Sequence, residues 1–245
     1  MTNDFSNVKI GISVALPQEL QTLTKKKILK GSCLAVNEHL FIVLSGIGEK
    51  AAIAGGLALF EKGVDALISW GSAAALHPKL RPGNFIIPEK ILTGGGEVFS
   101  ADGNFRNRLL QLLGPETKAF SKPLYGSASL LTTSIQKKEL FQKTGAIAAD
   151  MESAGLARIA AENSLPFVAL RAISDTAEMH LPSAISKSFN PQGDLSLFKL
   201  AIQLIFHPTE LRAAFQLANG FKEAEKSLSS LARKLRNLVE TGSRF

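Results

Sequence analysis

Short runs of branched and aromatic apolar residues alternate with helical patterns up to Asp175, and this rhythm limits the fold more than any other feature. The apolar runs are Lys9–Ala15, Leu40–Leu44, Ala66–Ser69, Asn84–Leu92, Ser127–Leu131, Ala146–Ala149 and Phe167–Ala172. They show little strict apolar/polar alternation, as strands covered on both faces do. Helices are expected between them over Pro17–Thr24, Glu49–Lys62, Phe105–Leu113, Ile135–Thr144 and Met151–Asn163, with Pro17 suited to a first turn. Strand–helix alternation predicts an α/β fold, a largely parallel sheet sandwiched by helices. A chain of 245 residues suits one such domain. From Leu195 onward the pattern is helical only, "LSLFKLAIQLIF", a break at Pro208, then a stretch to about Val239, read as an appended hairpin.

In open α/β sheets, ligands bind where strands end and turn into loops or helices. The polar residues and glycines expected there are Glu19, Gly46 and Gly48, Gly71 and Ser72, Asp150 and Glu152, then Ser174 and Asp175. Taken singly, each has a plain structural explanation. "SGIGEKAA" is a Gly-x-Gly turn that lets a ligand approach backbone N–H groups, or simply a tight turn; Ala51 stands where a dinucleotide fingerprint needs its third glycine. Ser72 in "SWGSAAAL" and Asp150 before "MESAGL" read as helix N-caps, and Glu152 suits the positive end of a helix. Arg171 inside an apolar strand is harder to dismiss, because a buried guanidinium requires an anionic partner. Together these residues converge on one end of the sheet.

Composition removes several classes. One cysteine, Cys33, excludes an internal disulfide framework and fits a reducing cytosol. The four histidines stand far apart, so no metal site is expected. No apolar run has the roughly 18 residues of a membrane span, and the N-terminal stretch lacks signal-peptide organisation. A cytoplasmic protein is expected. The net charge of +7 collects in "TKKKILK" and the C-terminal tail without an aromatic stacking surface, which argues against nucleic acid. The tail's apolar stripe from Leu195 to Ile205, followed by Leu211, Phe215, Leu217 and Phe221, fits a membrane-surface contact, a cover over a lipid-sized opening, a dimer interface or a core-packing helix.

"SGIGEKAA", "GSAAALHPKLRPGNFIIP" and "ADMESAGLARIAAENSLPFVALRAISD" resemble the nucleoside phosphorylase and nucleosidase superfamily, from about Val8 to Asp175. The stretch "SFNPQGDLSLFKLAIQLIFHPTELRAAFQLANGF" further resembles its hopanoid-biosynthesis branch. The resemblance implies a single-domain, three-layer sandwich around a mixed, largely parallel sheet. Residues 1–190 then form the catalytic domain and residues 191–245 a helical extension packed on it. The implied chemistry is cleavage of a nucleoside's N-glycosidic bond, with no cofactor and with water or inorganic phosphate as co-substrate.

By position, Glu152 resembles the glutamate that holds the ribose 2′- and 3′-hydroxyls, and Met151 the residue packing under the sugar. Asp175 resembles the acid serving the purine N7 side and Ser174 its positioner. Glu19 resembles the water-activating glutamate of nucleosidases; Ser72, Gly46, Gly48 and Gly71 resemble the pocket for water or phosphate. Arg171 resembles the arginine supporting that acid or a phosphate, and Leu130 and Leu131 fall near the base-contacting segment. "GSASLLTT" stands where the family usually carries Ser-Gly-Asp, and the first arginine is Arg81, so no early arginine cradle for phosphate is present. This favours water. The expected substrate is an adenosine derivative with a modified 5′ group, adenosylhopane by the branch resemblance. Alternatives are a methylthioadenosine/S-adenosylhomocysteine nucleosidase, a purine nucleoside phosphorylase, or a binding protein without catalysis. The family pattern also implies a homo-oligomer.

Overall fold

A computed structural model describes residues 8–182 and 210–241. The strands are β1 (Ile10–Val14), β2 (Cys33–Ala35), β3 (Leu40–Leu44), β4 (Ala66–Ala75), β5 (Phe85–Ile86), β6 (Lys90–Thr93), β7 (Val98–Ser100), β8 (Ala119–Phe120), β9 (Leu124–Gly126), β10 (Ala148–Asp150) and β11 (Phe167–Asp175). The helices are α1 (Pro17–Leu23), α2 (Glu49–Phe60), α3 (Gly103–Leu113), α4 (Ser134–Thr144), α5 (Ser153–Glu162) and α6 (Leu211–Thr241). All the strands join one mixed sheet. β1 pairs in parallel with β3 and β4, β4 with β11, and β9 with β6 and β10, while β2, β7 and part of β4 pair antiparallel.

The sheet separates two cores, as its strands covered on both faces require. Alternate residues of β4 and β11 face opposite ways: Ile68, Trp70, Leu170 and Ala172 pack with Leu20 and Leu23 of α1, Leu109 of α3 and Leu228 of α6. Leu67, Ala73, Ala169 and Ile173 pack with Leu59 of α2 and with Leu156 and Ile159 of α5. The three-layer α/β sandwich is therefore present.

β4 positions the site because it outlasts its neighbour. β1 pairs with Ala66–Trp70 and then ends; β10 takes the same edge only at Ala74 and Ala75. Across the gap, Gly71, Ser72 and Ala73 keep strand pairing on the β11 side alone among the described strands. An edge opened inside a sheet leaves backbone groups for side chains to satisfy.

Several expectations change. Ser72 lies within β4 and caps no helix: the alanines after it have high helix propensity, yet pairing with β11 and β10 holds them extended. The run Asn84–Leu92 is broken around Pro88, which cannot donate to a ladder; Phe85–Ile86 pair with β11 and β8, and Lys90–Thr93 turn to β9. Ser127–Leu131 is loop, since pairing stops where Ser127 N–H donates to the Asp150 carbonyl (2.7 Å). The strand before it, Leu124–Gly126, takes its place. Within the glycine-rich stretch "TGGGEVFSADGN", Val98–Ser100 form β7 and pair with β6.

Of the expected C-terminal hairpin, the first arm lies outside the described residues and the second is α6. Ala224, Leu228, Leu231, Ala232 and Leu235 recur at helical spacing and are buried in the core with α1 and α3. Of the apolar residues expected to form the stripe, Leu217 is buried, whereas Leu211 and Phe215 are exposed. Among the described residues no helix is long and apolar enough to cross a membrane.

Candidate active site

The gap in the sheet is filled by a carboxylate. Pro17 opens α1 directly after β1, and two residues on, Glu19 turns back under the helix start. Its Oε2 accepts from Ala15 N–H (3.2 Å) and Leu16 N–H (3.1 Å); its Oε1 accepts from Ser72 N–H (2.8 Å) and the Ser72 hydroxyl (2.9 Å). Glu19 is only 4% exposed. Every partner is a donor, so the carboxylate replaces the strand that the edge of β4 lacks. The position must be glycine at 71: a Cβ there would sit 2.6 Å from Glu19 Oε1 and 2.5 Å from Arg171 Nη1.

Arg171 stands opposite Gly71 in the register of β11 and β4. Its Nε donates to Asp150 Oδ2 (2.5 Å), and its Nη2 donates to the hydroxyls of Ser69 (2.6 Å) and Ser153 (3.1 Å). Asp150 in turn accepts from Ser153 N–H (3.3 Å) and the Ser153 hydroxyl. This supplies the anionic partner that a buried arginine requires, and it gives Asp150 two duties, a cap on the start of α5 and the counter-ion of Arg171. Arg171 Nη2 also lies 4.0 Å from Glu152 Oε2.

Glu152 stands at the N-terminal end of α5 but makes no cap bond there. Its Oε1 instead accepts from Gly48 N–H (2.9 Å), the residue that opens α2. Gly46 and Gly48 both have positive φ, 93° and 96°, which is why the turn needs glycine. The Lys30 side chain lies over Gly46: a Cβ there would be 2.3 Å from its Cε. Burial, followed by the Asp150 charge, pushes the Glu152 carboxyl up to about 7, with Arg171 and the Gly48 N–H opposing. Met151 precedes it, half-buried.

β11 ends in an irregularity. The register shifts between Ile173 and Asp175, so Ser174 bulges and both last side chains are re-aimed. The Ser174 hydroxyl contacts the Ala73 carbonyl (3.3 Å) and Asp175 Oδ1 (2.9 Å). The Asp175 side chain is 6% exposed, and burial raises its carboxyl above the usual range, with the Lys137 charge opposing. Lys137, wholly buried on α4, donates to Asp175 Oδ2 (2.5 Å), the Thr176 carbonyl (2.8 Å) and the Met179 carbonyl (3.1 Å).

Glu19, Ser72, Gly71, Arg171, Glu152 and Gly48 are thus linked by contact, and Ser174 and Asp175 join them along β4 and β11. Leu130 and Leu131 occupy the loop before α4, where Leu131 packs near Leu76 and Ala149, and Leu181 N–H ties the segment after Asp175 to the Thr132 carbonyl (2.8 Å). Lys137 was not anticipated. Its signal was present: with Leu140, Phe141 and Thr144 it falls on the inward stripe of a helix, where a lysine is out of place. Among the described residues no group of three or more His, Cys, Asp or Glu side chains is placed to hold a metal ion.

Comparison with known proteins agrees with this geometry. The family profile of the phosphorylase superfamily matches residues 9–205. The 5′-methylthioadenosine/S-adenosylhomocysteine nucleosidase of Buchnera aphidicola subsp. Baizongia pistaciae is 30% identical over 203 residues, 71% of this chain and 81% of that protein. Among solved structures, the same nucleosidase from Helicobacter pylori, complexed with a pyrrolopyrimidine–pyrrolidine ligand, superposes with a TM-score of 0.71 at 16% identity, over 96% of this chain and 99% of that one. Futalosine hydrolase of the same organism gives 0.70 at 12% identity, over 94% and 98%. Those structural likenesses show the fold; the family match covers the strands and carboxylates described above. The chain is an enzyme of the phosphorylase superfamily.

Proposed function

We propose that the chain cleaves the N-glycosidic bond of a purine nucleoside bearing a modified 5′ group, releasing adenine, with water as the nucleophile. The observation that carries this reading is three carboxylates at one end of the sheet, buried Glu19 and Asp175 and largely buried Glu152, each with different partners. As C1′–N9 breaks, its electron pair passes to the purine, which leaves more readily if N7 is protonated; Asp175, whose carboxyl is pushed up by burial, is the acid. The sugar gains positive charge, and Glu152 on its hydroxyls is held more strongly in that state than before it. Water adds to C1′ and gives its proton to Glu19, fixed by four donors beside Ser72. Arg171 keeps Asp150 and Glu152 in place from behind, without needing to touch the nucleoside.

Two 5′ groups are in question. The C-terminal resemblance favours a large apolar one, adenosylhopane, while the 30% identity with a methylthioadenosine/S-adenosylhomocysteine nucleosidase favours a small thioether. A homo-oligomer that completes the pocket and a cytoplasmic site of action belong to either reading, and a peripheral membrane contact to the first; exposed Leu211 and Phe215 are apolar groups available for that contact. No cofactor is needed beyond water, or phosphate in its stead.

Asp175→Asn tests the acid. It is expected to lower adenine release by roughly 100-fold or more while leaving nucleoside binding, followed by calorimetry, within a few-fold. Unchanged turnover in a folded variant rejects Asp175 as the acid.

A further inference from the structure

Lys137 is the one buried charge among the described residues that the scheme above does not use. An ammonium is almost never fully buried unless every proton finds an acceptor. Here each of the three does: Asp175 Oδ2, the Thr176 carbonyl and the Met179 carbonyl. Those acceptors are the proposed acid and two backbone groups of the segment that follows it. The same segment is held to α4 twice more, by the Ser134 hydroxyl against His180 Nε2 (3.0 Å) and by Leu181 N–H on Thr132. A buried ammonium needs an anionic partner as well as carbonyls. This one spends its shortest bond on the carboxyl whose other oxygen takes the Ser174 hydroxyl.

We infer that Lys137 is a positioning residue of the reaction: through Asp175 it fixes the acid and the segment 176–179 in one arrangement, and its charge decides how readily that acid keeps its proton. The inference rests on Asp175 being the acid. A carboxyl gripped through Oδ2 by Lys137 and through Oδ1 by Ser174 cannot rotate, so the proton it gives has a fixed direction, which is where positioning gains rate. Burial raises the Asp175 carboxyl above its ordinary range, and the Lys137 cation at 2.5 Å opposes that rise.

Other titratable groups on the surrounding elements are Glu178 and His180 after Asp175, Lys138, Glu139 and Lys143 on α4, and Lys222, Glu223 and Lys226 on α6, all exposed, with Glu225 on α6 half-buried. Arg171, on the same strand, is engaged with Asp150. None of them meets Asp175 as Lys137 does.

The test is the pH profile of adenine release by Lys137→Met and Lys137→Arg beside the unchanged enzyme. A general acid is lost as pH rises past its pKa, so removing the cation is expected to move the alkaline limb upward by about one pH unit or more. The plateau kcat should fall roughly tenfold with KM nearly unchanged. Lys137→Arg should return the limb to its original pH. Lys137→Gln keeps two donors and loses the charge; it serves where Lys137→Met does not fold and should show the same displacement. An alkaline limb that stays where it was in either uncharged variant overturns the inference and leaves Lys137 a structural clamp. If Asp175→Asn also turns over normally, the acid assignment has failed; if Asp175→Asn is inactive, only the role of Lys137 has.

Discussion

Glu152 shows what the site costs at the level of one residue. Its carboxyl is raised from an ordinary 4.5 to about 7, so the folded chain holds a proton there that the unfolded chain has released between those values. Stability attributable to Glu152 therefore falls as pH rises from about 4.5 to 7, and above that the full penalty, on the order of 3 kcal/mol, applies. Glu152→Gln, which can still accept from Gly48 N–H, is expected to raise the melting temperature at pH 8 by about 5–10 °C. That gain should vanish below pH 4.5, and activity should be lost throughout. A variant no more stable than the parent at pH 8 would show that the carboxylate is better solvated than its surroundings suggest. Residue chemistry was partly legible in the sequence: an arginine in an apolar strand demanded an anionic partner, but local pattern did not say which. That Asp150 would both cap α5 and pair with Arg171 required the β10–β4–β11 arrangement, which brings residues 21 apart in sequence into contact.

At the scale of elements, α6 bears on the site through its backbone. Gly220 packs against the end of β11 so closely that a Cβ would fall 1.9 Å from the Ser174 carbonyl oxygen. Further along, the Ser227 hydroxyl donates to the Gly83 carbonyl (2.9 Å) and Lys234 Nζ to the Leu113 carbonyl (2.7 Å), which fix the helix along its length. Gly220→Ala should destabilise the fold by about 3 kcal/mol and lower kcat by displacing Ser174 and Asp175; thermal melts and initial rates read both. Wild-type behaviour in both would mean that helix and strand can separate without consequence. The elements most legible in sequence were those whose propensity and environment agree, such as β3, found at Leu40–Leu44 as expected. Those that were not, the far half of β4 and the loop at Ser127–Leu131, are decided by pairing partners distant in the chain, which local propensity does not report.

For the whole molecule, the sheet explains why the site is where it is. β1 stops short, β4 continues, β10 arrives from the other direction, and Glu19 occupies the interval; the junction of β10 and α5 then brings Asp150 and Glu152 to the same place, and the bulged end of β11 brings Asp175. The alternating pattern of strands and helices was sufficient to infer this architecture class, because both cores require strands apolar on both faces. It could not reveal the gap, which arises from the lengths of three strands measured against each other. Hydrolysis of a purine N-glycosidic bond at that gap is tested by product identification after incubation with 5′-modified adenosines, with and without inorganic phosphate. Adenine and the free sugar are expected in equal amounts under both conditions. Sugar 1-phosphate appearing only with phosphate would contradict water as the nucleophile, and the absence of adenine from every such nucleoside would contradict the cleavage itself.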